Sequence, residues 1–133
     1  MNRAYLFFLL FFTFPVFSHV IEDPCERIEA SPQVAKCARY KKEQSDLRLN
    51  VSYRETLGRI KYQYANAPSL AEQYIFLLRR AQREWVELRD ADCKLEAFQI
   101  EESAEAYQVT IDNCISRLSD DRASYLNRVA VDI

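Results

Sequence analysis

Apolar residues recur every three or four positions over two long stretches of this chain, and a proline turn stands between them. In the first stretch Leu49, Tyr53, Leu57, Ile60 and Tyr64 are separated by four, four, three and four residues, the repeat of one face of an α-helix. Arg48, Arg54, Glu55 and Lys61 fall off that face. The spacing predicts a helix from about Val34 to Tyr64. Asn66-Ala67-Pro68 then breaks the pattern, and Ser69-Leu70-Ala71-Glu72 has the form of a capping box, in which serine and glutamate side chains satisfy free N–H groups reciprocally. A second helix is expected over about Leu70 to Phe98, on a stripe of Tyr74, Leu77/Leu78, Ala81, Trp85, Leu88, Asp92, Leu95 and Phe98. Asp92 is its one polar member. Tyr107, Ile111, Cys114/Ile115 and Leu118 mark a third helix, and Ser119 is placed to cap a short final one, Asp120 to Val129, whose first turn is acidic.

With a single glycine among 133 residues, the usual punctuation of turns and strands is missing, which favours helices with few connections. That glycine, Gly58, lies within the first predicted helix and costs it about 1 kcal/mol relative to alanine. It either admits a close helix contact or is tolerated. Two long helices joined by a proline turn pack antiparallel, and the C-terminal helices must cover their remaining open side. The expected fold is all-α: a small antiparallel bundle of two long helices plus shorter C-terminal helices, stapled by disulfides.

The N-terminus has the composition of a cleaved secretory signal. Arg3 supplies the positive charge, Ala4 to Phe17 form an apolar run, and Val16-Phe17-Ser18 offers a small residue for cleavage after Ser18. The run is shorter than the roughly 20 residues a membrane span needs, contains Pro15, and is followed at once by Glu22 and Asp23. Residues 1–18 are therefore expected to leave, without a lasting membrane anchor, and residues 19–133 to form one domain. The lead-in to Ala35 contains Pro24 and Pro32 and is read as irregular, with one short helical turn around Glu26 to Ala30.

Cys25, Cys37, Cys93 and Cys114 all fall in the exported part, where an even number of cysteines points to disulfides. Three pairings are possible. Cys25 with Cys37 and Cys93 with Cys114 are favoured, because the partners are close in sequence and each bond ties a segment end to its neighbour. A redox or metal role is disfavoured, since there is no C-x-x-C and the lone histidine is His19. No metal and no cofactor is expected.

Charge narrows the partners. With Arg3 removed, 17 Lys and Arg stand against 20 Asp and Glu, a net charge near −3. Nucleic acid is an unsuitable partner, because phosphate binding needs clustered positive charge. Catalysis is also poorly supported. Glu101-Glu102 and Asp120-Asp121 are paired carboxylates, but nothing in the sequence marks a desolvated site that would separate their pKa values. No histidine base accompanies the serines, and no glycine-rich phosphate loop is present. Asn50-Val51-Ser52 matches a glycosylation acceptor, yet it lies inside a predicted helix.

Three segments carry a resemblance. Ser45 to Tyr53 (SDLRLNVSY) has an aspartate ahead of Leu49-Asn50-x-x-Tyr53. Leu78 to Cys93 (LRRAQREWVELRDADC) has Ala81-Gln82-x-x-Trp85, then Arg89-Asp90 and a cysteine. Cys114 to Arg122 (CISRLSDDR) has Leu118-Ser119-x-x-Arg122 after a cysteine, followed by Leu126. In order and spacing these resemble the bacterial family named for the lysozyme inhibitor LprI, specifically its N-terminal domain, over about Cys25 to Leu126. One departure is Glu101-Glu102-Ser103, where members commonly have a Gly-Gly-Ser turn. The resemblance implies a secreted or periplasmic helical protein that acts on a protein partner, lysozyme in the namesake, by binding it. Two other functions compete: an envelope binding or immunity protein against another toxin or partner, and an enzyme acting on cell-wall sugar.

The motif residues divide by chemistry. Leu49, Tyr53, Trp85 and Leu88 lie on apolar stripes and read as core. Asp46, Asn50, Gln82, Arg89, Asp92 and Arg122 read as a binding or structural network. On the second helix Gln82, Trp85, Arg89 and Asp92 share one side, so a partly buried polar network joining the two long helices is expected, with Arg89 paired to Asp92 or Asp46.

Overall fold

The computed structural model describes residues 23–131; the expected signal segment, its cleavage point and His19 lie outside them. Three helices account for the described chain: α1 (Ser31–Gln63), α2 (Pro68–Glu96) and α3 (Glu105–Leu126). Among the described residues there is no strand. The disulfides are Cys25–Cys37 and Cys93–Cys114. The first pins the lead-in to the start of α1, and the second ties the end of α2 to the middle of α3.

Local chemistry sets the helix ends. In the lead-in Asp23 and Pro24 form a turn rather than a turn of helix: the Glu26 N–H bonds the Asp23 carbonyl at 3.1 Å and the Cys25 N–H bonds Asp23 Oδ1 at 2.8 Å. No helical turn forms over Glu26 to Ala30. At the start of α1, Gln33 Oε1 accepts the Ala30 N–H at 2.8 Å, which is the glutamine half of a capping box. α2 begins at Pro68 rather than at a Ser69 cap, with Ala67 at the N-cap and no side-chain cap bond. Proline at the first helical position has its φ preset and no N–H to satisfy; Ser69 instead accepts a 3.4 Å bond from Gln73.

The expected break at Ser119 does not occur. Ser119 is fully buried, and its hydroxyl donates to Asp46 Oδ1 across the bundle at 3.1 Å, so it cannot cap its own chain. α3 runs through to Leu126, and the expected final helix is its last two turns. The freed carbonyls there need partners. Arg59 of α1 supplies them, donating to the Leu126 carbonyl at 2.7 Å and the Val129 carbonyl at 3.1 Å; its positive charge also suits a helix C-terminus. Beyond that end Ala130 adopts a left-handed φ of 51°, held by Gln63 bonding its carbonyl at 2.9 Å.

The helices run up, down and up. Lys42 meets Asp112, Asp46 meets Ser119, Thr56 meets Leu126 and Arg59 meets Val129, so α1 and α3 are parallel. Asp46 also meets Arg89, and Arg122 meets Gln82, so α2 is antiparallel to both. The most extensive packing joins α1 to α3, not α1 to α2. The reason is side-chain size. Ala38, Ser45, Leu49, Ser52 and Thr56 on α1, and Asp112, Ser116, Ser119, Ala123 and Leu126 on α3, are buried along that contact; Cys37, Ile60 and Cys114 are the other buried residues of the two helices. The contact residues repeat at four and three or at seven, the period of a coiled-coil seam. Mostly small side chains let the two backbones approach closely, as interior packing density requires.

The stripe predicted on α1 covers one flank of that seam. Leu49 and Ile60 are buried with Leu78, Ala123 and Leu126, and Tyr53, Leu57, Tyr64, Tyr74, Ile75 and Trp85 pack around them half-buried. Gly58 faces open space, with nothing within 4 Å of where a Cβ would stand. It is tolerated and admits no helix contact.

The stripe predicted on α2 is a different matter. Leu77, Leu88, Leu95 and Phe98 are 60%, 59%, 71% and 82% exposed, so Leu88 is not core. The residues turned toward the bundle are Ala71, Ile75, Leu78, Gln82, Trp85, Arg89 and Cys93, each buried or half-buried. Both sets are spaced at three and four, on neighbouring faces of one helix. Periodicity alone does not say which of two such faces meets the core.

Candidate functional site

A groove of about 590 Å³ lies between α1 and α2. α1 contributes Asp46, Leu49, Asn50 and Tyr53, spaced so that all four share one helical face; α2 contributes Gln82, Val86 and Arg89 on the facing side, with Arg79, Arg83 and Glu87 along the rim. Six of the ten motif residues named from the sequence therefore line one surface.

Its floor is a polar network. Arg89, whose side chain is only 12% exposed, donates through Nη1 to Ser119 Oγ at 3.2 Å and to Asp46 Oδ1 at 3.4 Å. Its Nε bonds Asp90 Oδ1 at 2.9 Å. Asp46 and Asp90 are the ion partners; Asp92, half-buried one helical turn on, forms no side-chain hydrogen bond or ion pair among the described residues. The reason is reach: Arg89 turns its guanidinium toward α1 and α3, and its immediate neighbour Asp90 covers the outer edge.

A second arginine completes the arrangement from α3. Arg122 Nε donates to Gln82 Oε1 at 3.0 Å, and its guanidinium lies 5.5 Å from the Trp85 ring centre and 4.9 Å from that of Tyr125. Arg89 stands 5.3 Å from the same Trp85 ring. Guanidinium groups at such distances are attracted by the ring quadrupole. Burial lowers the pKa of Arg122, partly offset by Tyr125; an arginine so shifted is still fully charged at any physiological pH. Trp85 is thus neither plain core nor free surface, because its half-buried ring spaces two cations and packs on the Leu49 cluster.

Residues that the sequence did not assign to the network hold this site in place. Ser119 joins Asp46 to Arg89, and Asp112, with its side chain 3% exposed, takes Lys42 Nζ and Gln108 Nε2 each at 2.9 Å. A buried carboxylate is stable only when so paired. The seven-residue recurrence of small polar residues at Ser45 and Ser52 was the available signal for that seam. The carboxylate pairs named as weak catalytic candidates lie elsewhere: Glu101 and Glu102 are exposed between α2 and α3, and Asp120 is bound by Arg48 at 2.9 Å. Among the described residues no group of histidine, cysteine, aspartate and glutamate side chains could hold a metal ion. No helix among them is long and apolar enough to cross a membrane.

Fold and site together define a small disulfide-braced three-helix bundle with a polar groove between its first two helices. Residues 24–126 match the family model described as Lysozyme inhibitor LprI. The chain belongs to that family. It is also similar to a crystal structure of a DUF1311 family protein from Pseudomonas putida KT2440, at 31% identity over 78% of this chain and 97% of that one, with a TM-score of 0.67. Comparison with curated protein sequences gives no match. The family and the two disulfides are consistent with work outside the reducing cytoplasm.

Proposed function

We propose that this protein is exported to the periplasm or beyond, loses residues 1–18, and binds and inhibits a lysozyme or related muramidase through the α1–α2 groove. The observation that carries the reading is the convergence of Asp46, Leu49, Asn50, Tyr53, Gln82 and Arg89 on one open surface, in a chain whose family is described by lysozyme inhibition. Arg79 and Arg83 stand exposed on its rim and form no ion pair among the described residues. Muramidases cleave with two carboxylates in a cleft, and charge-assisted bonds from arginine are the strongest a rim residue can offer them. The groove works by binding, while Arg89, Ser119 and Arg122 hold its walls in register. Net charge near −3 steers only weakly toward a basic enzyme.

The test is a titration of the purified, disulfide-intact protein into lytic assays with a panel of lysozymes and bacterial muramidases. Inhibition of at least one enzyme is expected, with Arg79→Glu plus Arg83→Glu weakening it at unchanged melting temperature. Full lysis with every enzyme at saturating protein overturns the proposal. It would then favour the reading of an envelope binding or immunity protein for another partner.

A further inference from the structure

α2 carries its more apolar face outward. Leu70, Tyr74, Leu77, Ala81, Glu84, Leu88, Ala91 and Leu95 follow one another at four, three, four, three, four, three and four residues, the heptad pattern of a two-helix seam. All but half-buried Tyr74 are exposed, and the four leucines are 53% to 71% exposed. The face that α2 gives its own bundle is interrupted by Gln82 and Arg89. A seam with four exposed leucines, interrupted only by Glu84, is unusual for a lone chain.

We propose that a second copy of this chain covers the seam, with the two α2 helices packed antiparallel. Self-complementarity carries the choice of occupant. In the antiparallel register that sets Leu77 against Leu88 of the second copy, Leu70 falls against Leu95, Tyr74 against Ala91, and Ala81 against Glu84, so large residues meet leucine or alanine. Symmetry makes every one of these layers occur twice. The flanking row on the outer side is Gln73, Arg80, Glu87 and Lys94. In the same register Arg80 stands beside Glu87 of the other copy, and Gln73 beside Lys94, so opposite charges meet and no like charges do. Glu84 enters the seam already paired: Arg80 Nε holds its Oε1 at 2.8 Å within the chain. A parallel pairing would set Glu84 against its own copy and place two carboxylates in the seam, which disfavours it.

Sedimentation equilibrium of the disulfide-intact protein over a range of concentrations reads this directly. The expected result is a dimer mass. Leu77→Glu with Leu88→Glu should give a monomer whose helical circular dichroism is unchanged, because both side chains are exposed. Arg80→Glu should raise the dissociation constant by on the order of tenfold, since the contact is repeated by symmetry, and Arg80→Glu with Glu87→Arg should recover part of that loss, Glu84 having lost its own partner. A monomer at all concentrations overturns the proposal, as does a dimer insensitive to the leucine substitutions or a charge swap that recovers none of the loss. Binding of a muramidase to this seam in place of a second copy overturns it equally. The dimer mass and the leucine substitutions are independent of lysozyme inhibition, which reads the opposite flank of α2; Glu87 also stands on the groove rim, so the charge swap is scored by sedimentation alone.

Discussion

Arg89→Ala should cost this protein about 3 kcal/mol, and the figure follows from what the side chain touches. Its ion partners Asp46 and Asp90 are 42% and 48% exposed, so each pair is worth only about 0.5 kcal/mol after screening. The 3.2 Å bond to fully buried Ser119 adds about 1 kcal/mol, and the Trp85 stack, 5.3 Å away and half-buried, about 0.5 kcal/mol. Loss of the buried aliphatic stem contributes a further share of similar size. For a domain of this length, 3 kcal/mol lowers Tm by roughly 10 °C. Differential scanning calorimetry on the wild-type and variant proteins measures it. A cycle with Asp46→Ala isolates the single ion pair, for which about 0.5 kcal/mol of coupling is expected. If Arg89→Ala leaves Tm unchanged but abolishes partner binding, Arg89 is a contact residue and the structural reading is refuted.

Two further substitutions test the packing. Ser45 is fully buried in the α1–α3 seam, so Ser45→Leu should overpack it and cost about 1–3 kcal/mol in urea unfolding; a neutral result would mean that the two helices are not closely apposed there. Gly58 has open space where a Cβ would stand, and Gly58→Ala should raise stability by about 1 kcal/mol in the same assay.

The large apolar residues made α1 and α2 legible from the sequence, because Leu49, Tyr53, Ile60 and Trp85 mark helical faces by their spacing and do pack on the core. What escaped is a matter of residue size and polarity. The tightest interface is lined by Ser45, Ser52, Thr56, Ser116 and Ser119, which score as polar and are invisible to a search for apolar stripes. Ser119 looked like a cap for the same reason, since its hydroxyl can serve a helix end or a neighbour equally well. On α2 two faces carry a helical repeat, and only the position of α3 decides between them. The groove shows the same division. The i, i+3, i+4, i+7 spacing from Asp46 to Tyr53 puts four of its residues together within the sequence, whereas the Gln82–Arg122 bond joins residues 40 positions apart and emerges only from the packing of all three helices.

The parallel pairing of α1 with α3 also sets the order of events as the chain is made. Thr56 is synthesised 70 residues ahead of the Leu126 carbonyl it meets, so α1 must wait through the whole of α2 before its partner exists. Contacts of such separation slow folding, because a long loop must close before they form. A waiting helix that showed a leucine seam would invite aggregation. α1 waits instead behind an alanine, two serines, a threonine and a single leucine, and the small side chains that let it nestle against α3 are the ones that keep a nascent segment harmless in water.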